Sequence, residues 1–303
     1  MTFNIEKDHI GIFAPSSFIE PERLEGGIKA LESFGFKVKT HKQASNQLGQ
    51  TQSSGTHEEK LSALYDLLQD NEVGAIMITC GGNRSLHYLD LIDYNMLDKF
   101  PKPLIGISDF TTILNAAQSQ CKNQRNDILG PVLTLLYKNK ETENIKLQIE
   151  QLKETLAGKK IIHPTNNAKI VKTGKAIGKT TGGTQSVFQA LMGTKYFPNL
   201  TNKTLFIEDI FEETSRIDRM FAQLRLSGEL SKISGLVVGE YLLPKDSGRP
   251  FGFSIEDIVK EHTKELDIPI IINAPFGHGK NLFPIPFGKE AYFEVNDKIM
   301  LEI

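Results

Sequence analysis

Ser108 stands where a short apolar run, residues 104–107, meets a helical pattern. A serine at such a junction can be held on a tight turn above the carboxyl edge of a sheet, as in a nucleophile elbow. The positive end of the following helix would favour negative charge that develops there. Phe110 replaces the second glycine of the G-x-S-x-G motif, so the motif is half present. On this motif alone, simple capping of the helix by Ser108 is favoured.

An acid and a histidine follow two later apolar runs. Residues 205–207 bring Glu208 and Asp209 to a predicted strand end, where a carboxylate can orient a histidine. Alternatively, Asp209 caps a helix and Glu208 lies in its first turn. His278 lies between two glycines after another strand pattern, which leaves its imidazole without steric cover. The chain order serine, acid, histidine is that of α/β-hydrolases, although triads occur in several orders on unrelated folds.

Gly81 and Gly82 end the strand pattern that precedes the serine. Glycine lets the backbone approach a ligand closely, and N–H groups at this point could stabilise an oxyanion. A plain tight turn is the alternative. The spacing fits neither a G-x-G-x-x-G motif nor a Walker loop. The HEE sequence at residues 57–59 lacks the second histidine of a zinc motif, so no metal and no cofactor are expected.

Composition and charge narrow the class of protein. The 303 residues carry a net charge of −2, which gives no long-range attraction to nucleic acid or to an anionic membrane, so neither partner is expected. Cys80 and Cys121 are predicted to be free thiols in a reducing compartment. The N-terminus lacks the apolar region of a secretory signal, and no apolar run approaches the ~18 residues of a membrane span. We therefore expect a cytoplasmic protein.

Hydrophobic periodicity predicts the elements that must position these side chains. Short apolar runs alternate with helical patterns, which indicates βαβ units and a parallel sheet. Strands are predicted at residues 9–14, 36–40, 74–79, 104–107, 204–207, 235–238 and 268–272, and a β-hairpin from residue 290. Helices are predicted at residues 22–34, 57–68, 109–120, 216–226 and 254–262. Residues 43–56 are predicted to be a mobile polar loop, and residues 138–160 a solvated surface helix near a domain junction.

An ordered set of short motifs covers the chain: residues 10–16 (IGIFAPS), 81–82 (GG), 106–109 (GISD), 182–183 (GG), 205–209 (LFIED), 216–224 (RIDRMFAQL) and 277–279 (GHG), with Pro284. This set resembles the LD-carboxypeptidase family, serine peptidases that include murein tetrapeptide carboxypeptidases and the microcin C immunity peptidases. Each motif is weak, but their order and spacing span nearly the whole chain. The set as a whole is therefore specific.

The resemblance implies an α/β fold of two domains and a homodimer. We expect an N-terminal parallel-sheet domain with the nucleophile elbow over residues 1–150. A β-rich α/β domain over residues 165–303 would carry the acid and the histidine, and the active site would lie in the groove between the two domains.

The resemblance also implies a role for each site residue. It makes Ser108 the nucleophile, Glu208 the acid and His278 the general base, and it places the oxyanion hole at the backbone N–H groups of Gly82 and Asp109. Such a site would use the histidine to move the serine proton and the acid to hold the imidazole in one tautomer.

The substrate is a small peptide, and two kinds of peptide remain open. The leading hypothesis is peptidoglycan recycling, in which D-alanine is released from murein tetrapeptide by hydrolysis of an L,D amide bond. The alternative is cleavage of aminoacyl or peptidyl nucleotide conjugates, because Cys80 replaces an arginine found in many LD-carboxypeptidases and residues 81–95 are closer to the immunity peptidases. A non-catalytic protein that binds a small ligand between two domains is a third hypothesis, which the complete triad disfavours.

A carboxypeptidase must also bind a free carboxylate, for which arginine is best suited. Arg84, Arg216 and Arg219 are candidates, and Asn83 with Arg84 is the expected substrate-binding pair. Surface or interdomain salt bridges are an equally good explanation of these arginines.

Overall fold

A computed structural model of the chain describes residues 3–139, 143–246 and 248–303. Its strands are β1 (His9–Phe13), β2 (Lys37–Thr40), β3 (Val73–Ile78), β4 (Leu104–Gly106), β5 (Ile128–Leu129), β6 (Lys169–Lys172), β7 (Gly174–Thr184), β8 (Lys203–Ile210), β9 (Gly235–Leu242), β10 (Ile270–Ile272), β11 (Ile285–Pro286), β12 (Glu290–Val295) and β13 (Ile299–Glu302). Its α-helices are α1 (Pro21–Ser33), α2 (His57–Gln69), α3 (Tyr94–Lys99), α4 (Thr111–Gln120), α5 (Leu133–Asn139), α6 (Glu143–Leu156), α7 (Gln185–Gln189), α8 (Thr214–Leu226) and α9 (Ile255–Thr263).

The N-terminal sheet has the strand order β11-β5-β4-β3-β1-β2. The strands β1 to β5 pair in parallel, and β11 joins the edge antiparallel to β5. Strand β3 is a nearly continuous buried apolar run, as expected for a parallel strand that helices cover on both faces. Helices α1, α5 and α6 supply the apolar side chains on one face, and α2 and α4 supply those on the other.

The C-terminal sheet has seven strands in the order β13-β12-β7-β8-β9-β10-β6. Strands β7 to β10 are parallel, and both edges are antiparallel. Strands β12 and β13 form the terminal hairpin that the alternating sequence predicts. Helices α8 and α9 cover one face of this sheet, which matches the apolar spacing of their sequences.

The two halves of the chain share one apolar cluster. Phe206 on β8 belongs to the same buried cluster as Ile113 on α4. The side chain of Asn115 on α4 also donates a hydrogen bond of 2.7 Å to the carbonyl of Gly182 on β7. These contacts hold the end of β4 opposite the ends of β7 and β8. The predicted two-domain α/β fold is confirmed, whereas the exact boundaries at residues 150 and 165 stay predictions.

The segment at residues 43–56 is anchored at both ends by buried polar side chains, whereas residues 47–52 between them are exposed. Gln43 is 2% exposed, and its side chain bonds both the N–H and the carbonyl of Ala14. Ser54 is fully buried and donates to the same carbonyl. The polar residues of this segment therefore satisfy the backbone that follows β1, a long-range role that local composition cannot show.

The charged segment at residues 138–160 also differs from its prediction. The part of it on residues 140–142 lies outside the described residues. Ile145, Ile149 and Leu152 on α6 are buried in the N-terminal core, whereas Leu147 is 61% exposed. The helix is thus a core element with a charged outer face, and it runs through the predicted boundary at residue 150. Among the helices of the described ranges, none has the length and apolar character needed to cross a membrane.

Candidate active site

Ser108 lies on a strained turn directly after β4. Its φ of +66° is in the left-handed region, which costs an L-residue about 1–2 kcal/mol. The turn is the 3-10 segment Ser108–Phe110, which leads into α4, and no side-chain capping bond is present at the start of either element. The geometry is that of a nucleophile elbow rather than of a helix cap. Gly106 is required there, since a methyl group on it would lie 2.5 Å from the Phe110 ring.

The double glycine lies against the serine. A methyl group placed on Gly81 would lie 2.4 Å from Cβ and 2.6 Å from Oγ of Ser108, and 3.5 Å from the amide nitrogen of Asp109. Gly82 has a φ of +129°, and a methyl group there would overlap Oγ of Ser17 at 1.9 Å. The loop has two glycines because its backbone passes between the side chains of Ser17 and Ser108. It brings its amides beside the serine, where the oxyanion hole of Gly82 and Asp109 is predicted.

Glu208 and His278 form a buried pair. Glu208 Oε2 accepts hydrogen bonds from Nδ1 of His278 at 2.8 Å and from its backbone N–H at 3.2 Å. The other oxygen, Oε1, accepts a bond of 2.7 Å from Oγ1 of Thr184. Glu208 is fully buried and the side chain of His278 is 11% exposed. Gly277 permits this approach, because its φ is +119° and a methyl group on it would lie 2.7 Å from Oε2.

Pairing with Glu208 raises the pKa of the imidazole and leaves one of its ring nitrogens unpartnered. Burial lowers the pKa of His278, but the charge and the hydrogen bond of Glu208, with the charge of Asp209, outweigh it and raise the pKa above the usual value. Nε2 is buried and has no hydrogen-bond partner in the described part of the chain. The nitrogen that would exchange a proton with a nucleophile is therefore free.

Asp209 serves a different purpose from its neighbour. Its Oδ2 accepts a bond of 2.7 Å from the N–H of Ser186 in the first turn of α7, and its Oδ1 accepts one from the N–H of Ile210. Burial raises the pKa of Asp209 to about 6. Asp209 thus holds the start of α7, and Glu208 contacts the histidine.

The carboxylate of Asp109 fastens the serine turn to two loops. Its Oδ2 accepts bonds from Oγ of Ser16 at 2.6 Å and from the N–H of Ser85 at 2.9 Å. Lys60 lies close behind, fully buried, and donates to the carbonyl of Ser16 and to Oγ of Ser53. Burial lowers the pKa of Lys60, and the charge of Asp109 opposes this. The sequence did carry a signal for Lys60, since it lies on the apolar stripe of α2.

The residues predicted to bind substrate, Asn83 and Arg84, line open cavities near Asp109. Asn83 and Arg84 border a cavity of about 430 Å³ that Glu212 and Arg216 also line. Arg216 pairs with Glu212 at 3.2 Å, as the salt-bridge explanation anticipates. Arg219 is exposed on α8. Which of these arginines contacts a substrate carboxylate stays a prediction.

The two cysteines are free thiols, as predicted. Cys80 adjoins the double glycine, but burial raises its pKa to about 11, so it is a neutral thiol at physiological pH. Within the described ranges, no cluster of three or more His, Cys, Asp or Glu side chains could hold a metal ion.

A serine on a strained elbow of one α/β domain and a buried histidine–carboxylate pair in the other are together typical of a serine hydrolase. Comparison with known families is more specific. The N-terminal domain model of the LD-carboxypeptidases matches residues 10–125, and the C-terminal domain model of the same family matches residues 177–293. The chain belongs to the LD-carboxypeptidase family, as its motifs predict.

The chain is similar to two kinds of protein in this family, a murein peptide carboxypeptidase and a microcin immunity protein. A Bacillus subtilis protein named as a probable murein peptide carboxypeptidase is 28% identical over 96% of this chain and 90% of its own length. The microcin C7 self-immunity protein MccF of Escherichia coli is 25% identical over 96% of this chain and 92% of its own. A structure of MccF with glutamyl sulfamoyl guanosine has a TM-score of 0.89 at 21% identity, covering 99% of this chain and 96% of that one. The chain is a serine-type LD-carboxypeptidase by family.

Proposed function

We propose that the chain releases D-alanine from murein tetrapeptide, with Ser108 as nucleophile, His278 as general base and Glu208 as its carboxylate partner. The observation that carries this proposal is the Glu208–His278 pair, whose two hydrogen bonds leave Nε2 free; the left-handed backbone of Ser108 supports the choice of nucleophile. The similarity to the probable murein peptide carboxypeptidase supports the choice of substrate.

The reaction proceeds through an acyl-enzyme. Oγ of Ser108 attacks the carbonyl carbon of the L,D amide bond while Nε2 of His278 takes the serine proton. The amide C–N bond then breaks, and the imidazolium gives its proton to the amine of the departing D-alanine. A water molecule, deprotonated by the same nitrogen, cleaves the ester and restores the serine.

The remaining groups stabilise charge. Glu208 keeps the proton of neutral His278 on Nδ1 and stabilises the imidazolium that forms. The N–H groups of Gly82 and Asp109 hold the tetrahedral oxyanion, and each such donor lowers the barrier by roughly 3 kcal/mol. No metal or cofactor takes part in these steps.

The proposed setting is the cytoplasm, where the protein would act as a homodimer in peptidoglycan recycling. The free thiols of Cys80 and Cys121 suit a reducing compartment. A net charge of −2 gives no attraction toward nucleic acid or an anionic membrane surface, so a small peptide is the expected partner.

A second candidate function is cleavage of aminoacyl or peptidyl nucleotide conjugates. It is favoured by the similarity to MccF and by Cys80 beside the double glycine. An enzyme of this kind needs an aromatic platform for the base. The chain has no tryptophan, but Phe211 is 59% exposed in a cavity that reaches His278.

Parallel assays of the two substrates separate these functions. Purified full-length protein would be incubated with murein tetrapeptide and with an aminoacyl sulfamoyl adenosine, and D-alanine and the free amino acid would be measured. The proposal expects D-alanine release with the higher kcat/KM. Cleavage of the nucleotide conjugate alone would replace it with the second function.

A further inference from the structure

Lys60 is a fully buried lysine that the proposed mechanism does not use. Its ammonium donates to the carbonyl of Ser16 at 3.2 Å and to Oγ of Ser53 at 2.9 Å, and both of these acceptors are neutral. Burying an ammonium against neutral acceptors costs free energy, which an apolar side chain at the same position would avoid. Packing alone therefore does not explain a lysine here.

The carbonyl of Ser16 belongs to the same peptide group as the N–H of Ser17. That N–H donates to the carbonyl of Gly81 at 3.3 Å. The carbonyl of Gly81 in turn shares a peptide group with the N–H of Gly82, one of the two proposed oxyanion donors. Two peptide groups, joined by hydrogen bonds, therefore connect the ammonium of Lys60 to the proposed oxyanion hole.

The hydrogen bond from Ser17 fixes the direction of the Gly82 N–H. A trans peptide group is planar, so its N–H points opposite to its carbonyl. Because Ser17 holds the carbonyl of Gly81, the N–H of Gly82 points away from the loop that contains Ser17. A methyl group on Gly82 would lie 1.9 Å from Oγ of Ser17, whereas one on Gly81 would lie 2.6 Å from Oγ of Ser108. The backbone of the two glycines thus has the Ser17 loop on one side and the nucleophile on the other.

The second proposed oxyanion donor is tied to the same stretch of chain. Oγ of Ser16 donates to the carboxylate of Asp109 at 2.6 Å, and Asp109 provides the other proposed amide. The carbonyl of Ser16 also accepts from the N–H of Ser54 at 3.2 Å, so a neutral donor already helps to hold this peptide group. Lys60 adds a positive charge, which strengthens the hydrogen bonds that follow it because each peptide dipole polarises the next.

We propose that Lys60 is a positioning residue for the oxyanion hole, and that its positive charge acts through the two intervening peptide groups to orient and polarise the N–H of Gly82. We call this connection, from Lys60 to Gly82, the peptide relay. The developing oxyanion meets a donor that is aimed in advance and that carries more positive charge than an isolated amide. The inference rests on the proposed function, because the N–H of Gly82 is an oxyanion donor only in a serine hydrolase reaction.

The test replaces Lys60 by methionine, which has a similar length and no charge. Lys102→Met is the matched control, because Lys102 is also buried and donates to two backbone carbonyls, but it precedes β4 at the sheet edge opposite Ser108. Lys60→Met is expected to lower kcat for D-alanine release by about tenfold with KM unchanged, since the oxyanion forms only after substrate binds. Complete loss of one donor costs more, about 10²- to 10³-fold. Lys102→Met should lose stability and keep kcat.

Labelling of Ser108 by a fluorophosphonate gives a second measurement that does not depend on the natural substrate. Oγ of Ser108 displaces fluoride from phosphorus, and the phosphoryl oxygen takes the place of the oxyanion. Lys60→Met should therefore slow labelling by about the same tenfold, and Lys102→Met should not. Wild-type kcat and labelling rate in folded Lys60→Met would refute the relay, as would equal losses in the two methionine variants. If Lys60→Met does not fold, Lys60→Gln and Lys102→Gln make the same comparison.

The two measurements distinguish failure of the relay from failure of the proposed function. If the wild type releases no D-alanine but is labelled at Ser108, and Lys60→Met is labelled more slowly, the relay stands and the proposed substrate is refuted. If the wild type and Lys60→Met release D-alanine at equal rates, the function stands and the relay is refuted. A wild type that neither releases D-alanine nor reacts with the fluorophosphonate would refute both.

Discussion

Glu208 accepts two hydrogen bonds from a single residue, one from Nδ1 of His278 and one from its backbone N–H. The carboxylate thus fixes both the position of the histidine loop and the orientation of the ring. Thr184 occupies the other carboxylate oxygen, so the acid itself has little freedom to rotate. The charge of Glu208 and its bond to Nδ1 also give His278 its raised pKa.

This pair predicts the pH dependence of activity. His278 acts as a base only when neutral, so kcat/KM should rise with pH on an acid limb centred above the ordinary histidine value of about 6.5. Glu208→Gln removes the charge that raises the pKa, so the limb should move to lower pH. The plateau should fall by about 10³- to 10⁴-fold, because the ring loses its preferred tautomer. Profiles of kcat/KM from pH 5 to 9 measure both effects. Glu290→Gln, which changes an exposed carboxylate, is the control and should keep the wild-type profile. An acid limb that stays at the wild-type pH in Glu208→Gln would contradict this explanation.

The strain at Ser108 predicts an unusual order of stabilities. Glycine adopts a φ of +66° freely and alanine does not, so Ser108→Gly should be more stable than Ser108→Ala by about 1 kcal/mol. The same two substitutions at Ser62, exposed in the middle of α2, should give the reverse order. Urea denaturation measures all four variants. Equal stability of the two Ser108 variants would mean that the turn is not strained.

The close approach of Gly81 to Ser108 predicts a specific loss of activity. A methyl group at Gly81 would overlap the nucleophile, so Gly81→Ala should lower kcat by about 10²-fold or more by misplacing the serine. Gly158→Ala is the control, because that glycine has a φ of +72° and open space around it. It should lose stability and keep kcat. Steady-state kinetics with a thermal melt of each variant separate the two effects, and an unchanged kcat in Gly81→Ala would contradict the contact.

We expect Asp109 to support activity by holding in place the loops that contain Ser16 and Ser85. Asp109→Ala removes the acceptor of Ser16 and Ser85 and leaves buried Lys60 without its compensating charge, so we expect a loss of about 3 kcal/mol of stability. The kcat should fall more than KM rises, since the amide of Asp109 is a proposed oxyanion donor. Asp109→Asn retains an acceptor and should recover part of kcat. An alanine variant that changes KM alone would contradict this positioning role.

The sequence predicted the fold, and it singled out three candidate catalytic side chains, because both kinds of signal are local. Ser108, Glu208 and His278 each follow a buried apolar run. Ser108 follows a strand of the N-terminal sheet, whereas Glu208 and His278 belong with strands of the C-terminal sheet. The capping alternative for Ser108 was wrong for a reason that sequence alone cannot show, namely the positive φ of the residue.

Local sequence patterns could not predict contacts between residues that are far apart in the chain. The polarity of residues 43–56 indicated a mobile loop, yet Gln43 is buried because it bonds the backbone after β1. The charge of residues 138–160 indicated a solvated surface helix, and its weakly apolar face lies in the core.

D-alanine release from murein tetrapeptide, measured with wild-type protein and with Ser108→Ala, tests directly whether Ser108 is the nucleophile. We predict release by the wild type and a loss of at least about 10³-fold in kcat for the variant, because the oxyanion hole alone cannot form the acyl-enzyme. A folded Ser108→Ala variant that releases D-alanine at the wild-type rate would contradict it, since the nucleophile would then be another group.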